Sequence, residues 1–150
     1  MKMTSSLKRK KLPKRSFDAT GSDLFGHETN YSKDDVIVES GKLSNCVYQL
    51  THGRCRVEIT VNEKRHTVGT INSGETFGEL SFLLGTVTGA YVVADSHRVS
   101  VVQCSWENLS AITSTDVATA AVFYKYLAQV LCKRFLASEK NALKAKPTET

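Results

Sequence analysis

The feature that most restricts this chain is a run of short segments with hydrophobic period two, each closed by a turn residue. Cys55, Val57, Ile59 and Val61 alternate with Arg54, Arg56, Glu58, Thr60 and Asn62, the pattern of a strand with one buried face. Val36-Ile37-Val38 precedes it and ends at Ser40-Gly41; Cys46 to Leu50 ends at His52-Gly53. His66 to Ile71 returns as a partner after the polar turn Asn62 to Arg65, and Asn72-Ser73-Gly74 turns again. Ala90 to Ala94 and Arg98 to Gln103 add two strands joined at Asp95-Ser96. Many short strands at this spacing predict an antiparallel β-roll of the jelly-roll type.

The pattern then becomes helical. Ser105 is a candidate cap for a short helix over 105–112, and Thr113 to Asp116 a break before a long helix over 116–144. Val117, Ala121, Tyr124, Ala128, Leu131 and Phe135 form one apolar stripe, which Val122, Tyr126, Leu127 and Val130 widen. A helix apolar on more than one face needs two surfaces. One is the roll; the other is a ligand, a second copy or a neighbouring domain. The aromatic residues Phe123, Tyr124, Tyr126 and Phe135 are read mainly as packing. The folded domain is expected over 23–145, with the roll over 31–104. Residues 1–22 are expected to be a disordered basic tail and 146–150 a loose end.

The formal net charge of +5 is a property of that tail. Seven of the 20 Lys and Arg and none of the 15 Asp and Glu fall within residues 1–15, which leaves 13 cations against 15 acids and a body near −2. The body is therefore no electrostatic nucleic-acid binder. Lys8-Arg9-Lys10-Lys11-Leu12-Pro13-Lys14-Arg15 fits a nuclear-import signal, a contact with an anionic membrane or nucleic acid, or a solvated arm. No apolar run suits a membrane span or a secretory signal. Cys46, Cys55, Cys104 and Cys132 are far apart and read as reduced thiols, so a cytoplasmic or nuclear location is expected. His27, His52, His66 and His97 are scattered, with no alternating pair of the kind a metal-dependent jelly-roll enzyme uses. No nucleophile motif is present. The expectation is no catalytic residue, no metal and no cofactor.

Gly74-Glu75-Thr76-Phe77-Gly78-Glu79-Leu80-Ser81, continued by Thr86-Val87-Thr88-Gly89-Ala90, resembles the phosphate-binding cassette of the cyclic-nucleotide-binding domain family. Two further stretches are similar to the family's opening strand and to its central strand–glycine–strand signature: Tyr31 with Asp35 to Gly41, and Val47 to Leu50 with Gly53 to Val57. The likeness covers roughly residues 31–140. It implies a cAMP or cGMP site at Phe77, Gly78, Glu79, Leu80, Ser81, Thr88, Gly89 and Ala90. Glu79 would take the ribose 2′-hydroxyl, and amides of the short turn the phosphate.

The sequence departs from the family at one position: Thr88 stands where an arginine neutralises the phosphate, and no Lys or Arg occurs between Arg65 and Arg98. A threonine cannot match the bidentate fit of a guanidinium to phosphate, so binding is expected to be weak. Arg65, His66, Lys133 and Arg134 are the candidate replacements. Two readings follow. One is a non-catalytic regulatory domain that senses a cyclic nucleotide or related ligand and relays it through the C-terminal helix. The other is a nucleotide-silent domain of the same fold that binds proteins, or a second copy, through the 117–144 helix. Sequence-specific DNA binding is not expected, because only a handful of residues follow Lys144.

Overall fold

A computed structural model describes residues 24–144; the basic tail and the C-terminal end expected from sequence lie outside these residues. Eight strands form two four-stranded antiparallel sheets. In chain order they are β1 Thr29–Ser32, β2 Val36–Val38, β3 Cys46–His52, β4 Arg54–Val61, β5 Lys64–Asn72, β6 Thr76–Phe77, β7 Tyr91–Ala94 and β8 Arg98–Ser105. One sheet has the order β1-β8-β3-β6 and the other β2-β7-β4-β5. Helices α1 Glu79–Leu84, α2 Trp106–Thr115 and α3 Val117–Lys144 complete the fold. This is the expected β-roll followed by a short and a long helix.

Two hydrophobic clusters share one sheet between them. Val38, Leu50, Cys55, Ile71, Phe77, Val92, Val99 and Val101 fill the interior of the roll. Val47, Val102 and Cys104 project from the opposite face and pack with Leu24, Phe25, Phe82, Leu109, Ala120, Phe123 and Leu127. Strand β8 is thus covered on both faces, which explains why Val99 to Val102 is buried without alternation. Its one buried hydroxyl, Ser100, donates to Asn30 Oδ1 at 2.7 Å.

Several local expectations shift. The β4–β5 turn is two residues, not four: Asn62 and Glu63 both adopt positive φ, 51° and 65°, the geometry that matches strand twist in the tightest hairpins. Strand β5 therefore starts at Lys64. Helix α2 runs three residues past its expected end, and Thr113, Ser114 and Thr115 there turn their hydroxyls back to carbonyls four residues earlier rather than breaking it. The break narrows to Asp116, whose carboxylate accepts from the Thr119 amide at 3.1 Å and hydroxyl at 2.6 Å.

The stripe by which α3 docks also differs. Ala120, Phe123 and Leu127 are its buried residues, with Tyr126, Val130 and Leu131 half-buried. Val117, Ala121, Tyr124, Ala128 and Phe135 of the stripe read from sequence are exposed, so the roll takes the other apolar face. Apolar residues ring this helix, so periodicity alone did not fix the phase; the edge-on packing of Phe123 against Phe25, 5.8 Å between ring centroids, does.

Candidate functional site

The cassette is built on one sharply turned glycine. Gly78 holds φ 81°, and a Cβ there would lie 3.1 Å from the Tyr48 ring and 3.3 Å from the Cys46 carbonyl. A side chain there is strained by the backbone conformation and crowded by these neighbours. Phe77, just before it, is buried and stacks on Tyr48 with centroids 5.1 Å apart and planes 9° apart. The backbone then enters α1, a six-residue helix closed by Gly85. Glu79 and Ser81 point inward, whereas Leu80 is 58% exposed.

Glu79 is 1% exposed, a position where an ionised carboxylate needs partners. Its partner comes from α3. The Arg134 guanidinium donates through Nη1 to Glu79 Oε1 and through Nη2 to the Thr76 carbonyl. Two turns earlier on the same helix, the Tyr126 hydroxyl lies 2.5 Å from Thr76 Oγ1. Helix α3 thus meets the strand that leads into the cassette at two points, both on Thr76, and the first residue of α1 at a third. Glu79 Oε2 is left buried without a hydrogen-bond partner among the described residues, and a buried acceptor in that state is costly.

Thr88 sits elsewhere. It is buried, and its hydroxyl donates to the Glu39 carbonyl at 2.6 Å, with the Lys42 carbonyl 3.3 Å away. Backbone pairing of Thr88 with Gly41 and Lys42 fixes the same turn. A hydroxyl has one hydrogen to give, so as folded Thr88 ties the 39–42 turn rather than presenting a donor for phosphate. Gly89 is exposed and Ala90 half-buried just before β7. A cavity of about 300 Å³ opens beside Thr88, walled by Ile37, Lys42, Leu43, Cys46 and Tyr48 among others; Glu79 is not among its walls.

Of the four candidate replacement cations, Arg134 is the one that bonds to the cassette, and it meets the carboxylate rather than the phosphate position. Arg65 lies over the Tyr91 ring, 3.7 Å from its centroid, and 3.6 Å from Glu58. His66 and Lys133 are exposed. The sequence reads Tyr126 mainly as packing. Its contact spans 50 residues and that of Arg134 spans 55, beyond any local pattern. Among the described residues, no three His, Cys, Asp or Glu converge as a metal site, and no helix is long and apolar enough to cross a membrane.

Comparison with known proteins agrees with this fold. Residues 28–116 match the model of the family described as "Cyclic nucleotide-binding domain". Over 118 residues the chain is 30% identical to "Cyclic GMP-binding protein C" of Dictyostelium discoideum. That alignment covers 74% of this chain, and the chain spans only 4% of the relative's length. A cyclic nucleotide-binding domain from Methylobacillus flagellatus superposes with a TM-score of 0.74 at 20% identity, over 81% of this chain and 68% of that one. The Thermus thermophilus Catabolite Activator Protein superposes with a TM-score of 0.66 at 22% identity, over 79% of this chain and 54% of that one. These two likenesses concern the fold. The family match spans well over half of the sequence, and the chain belongs to the cyclic nucleotide-binding domain family.

Proposed function

We propose that this chain is a non-catalytic regulatory module that takes a cyclic nucleotide or a related ligand, weakly, at its cassette and relays occupancy through α3. The observation that supports this is the Glu79–Arg134 pair, which joins the residue the family uses for ribose to the long helix. A ligand hydroxyl donating to Glu79 Oε2 satisfies a buried acceptor, worth roughly 1–3 kcal/mol. It also holds the carboxylate in the arrangement that Arg134 grips. Such a ligand binds the docked position of α3 better than an undocked one and so shifts the population towards it. Asp116, the single residue between α2 and α3, is the natural pivot.

Amide hydrogen exchange over 128–140, with and without millimolar cyclic AMP or cyclic GMP, tests the reading. Ligand is expected to slow exchange there, and Glu79→Ala to abolish the effect. Unchanged exchange with saturating ligand contradicts the relay.

A second reading has its own support. Phe135, Leu136 and Leu143 are 57–69% exposed on α3, and the Thr88 hydroxyl is already committed to Glu39. Both fit a nucleotide-silent domain that meets a protein or a second copy through this helix. Self-association that is lost in Phe135→Ser, without any nucleotide binding, would favour it. The basic segment 8–15 adds a candidate contact with an import receptor or anionic membrane.

A further inference from the structure

The charges around Glu79 constrain which ligand this site accepts. Residues 66–97 contain three acids, Glu75, Glu79 and Asp95, and no Lys or Arg. Glu79 is neutralised by Arg134 and by that group alone among the described ion pairs. Lys42, whose backbone carbonyl pairs with the Thr88 amide, has its ammonium paired with Glu39 at 2.9 Å. Arg65 is held by Tyr91 and Glu58. A ligand phosphate placed beside this pair brings a negative charge to a stretch that carries no cation of its own, while Lys42, Arg65 and Arg134 are each already paired. The alternative is to draw Arg134 off Glu79, which strands a carboxylate that is 1% exposed. Either route works against binding. A neutral ligand meets neither obstacle: its hydroxyl donates to Oε2, the buried oxygen without a partner, while Oε1 stays with Arg134.

We infer that the cassette of this chain prefers an uncharged ribonucleoside to the corresponding cyclic phosphate. The inference rests on the reading of Glu79 as the ribose site, and it assigns the ligand class rather than the location. The selectivity comes from three features together: Thr88 in place of a cation, its hydroxyl bound to the Glu39 carbonyl, and Arg134 committed to Glu79. Arg134 is thereby a specificity-determining residue that acts through Glu79.

Calorimetry on the full chain at physiological salt provides the test, with adenosine, guanosine, 2′-deoxyadenosine, cyclic AMP and cyclic GMP as probes. Adenosine or guanosine is expected to bind about tenfold or more tighter than its cyclic phosphate, and removal of the 2′-hydroxyl to weaken adenosine by about tenfold. Thr88→Arg, checked for folding by circular dichroism, should reverse the order by adding the cation; if it does not fold, the wild-type ranking decides alone. A cyclic nucleotide that binds as tightly as its nucleoside overturns the inference and leaves the ribose-site reading standing. Equal binding of adenosine and its 2′-deoxy form overturns the contact with Glu79. If none of the five probes binds, the ribose-site reading and the inference fall together.

Discussion

Arg134 makes two contacts from a position that is 45% exposed, and its planar fork lets it meet a carboxylate and a carbonyl at once. Removing it strands both Glu79 oxygens in a buried site. Arg134→Ala is expected to destabilise the domain by about 1–3 kcal/mol in urea unfolding, less than a fully buried pair would because the guanidinium is partly solvated. Arg134→Lys should recover only part of this, since an ammonium is a point donor. The thiols provide a second residue-scale prediction. Burial pushes Cys55 up to about 11 and Cys104 up to about 12, and only the thiolate attacks an alkylating reagent. In native protein at pH 7.5, a maleimide should add first to exposed Cys132, while Cys55 and Cys104 stay unmodified until unfolding; mass spectrometry reads the order. At this scale the sequence showed Gly78 and Glu79 clearly, because a turn glycine followed by a lone acid is a local pattern. It also named Arg134 as a cation in reach, but gave its target as the phosphate rather than Glu79.

Between elements, the connections decide the geometry. Gly53 links β3 to β4 at φ 87°, and a Cβ there would lie 2.4 Å from the Arg98 carbonyl. Backbone strain and collision act together, so Gly53→Ala should cost about 3 kcal/mol or more by chemical denaturation. At the α2–α3 junction, hydrogen bonds from the Thr119 hydroxyl and amide hold the Asp116 carboxyl below its ordinary range. A carboxyl whose pKa is lower folded than unfolded contributes stability above the unfolded value, and that contribution disappears as pH falls through the folded one. Asp116→Ala should therefore lower the Tm at pH 7, with the gap to wild type closing as the pH drops below the usual carboxylate range. Strands with one open face, such as β4, were legible because alternation survives. The short β6 and the edge strand β1 were not: two to four residues carry too little pattern. The phase of α3 escaped as well, because its apolar residues surround the helix.

For the molecule as a whole, one sheet divides two cores, and α3 belongs to the outer one while its Arg134 and Tyr126 reach the strand before the cassette. The β-roll followed by two helices was readable from hydrophobic period and its change at Ser105. What joins the cassette to the helix was not, since such contacts exist only after folding brings distant residues together. The central claim is that Glu79 and Arg134 act as one unit. A double-mutant cycle with Glu79→Gln, Arg134→Ala and their combination, read by urea denaturation, tests it most directly. The account predicts a coupling energy of about 1–2 kcal/mol. Losses that add to within about 0.3–0.5 kcal/mol would mean the two residues are independent and would contradict it.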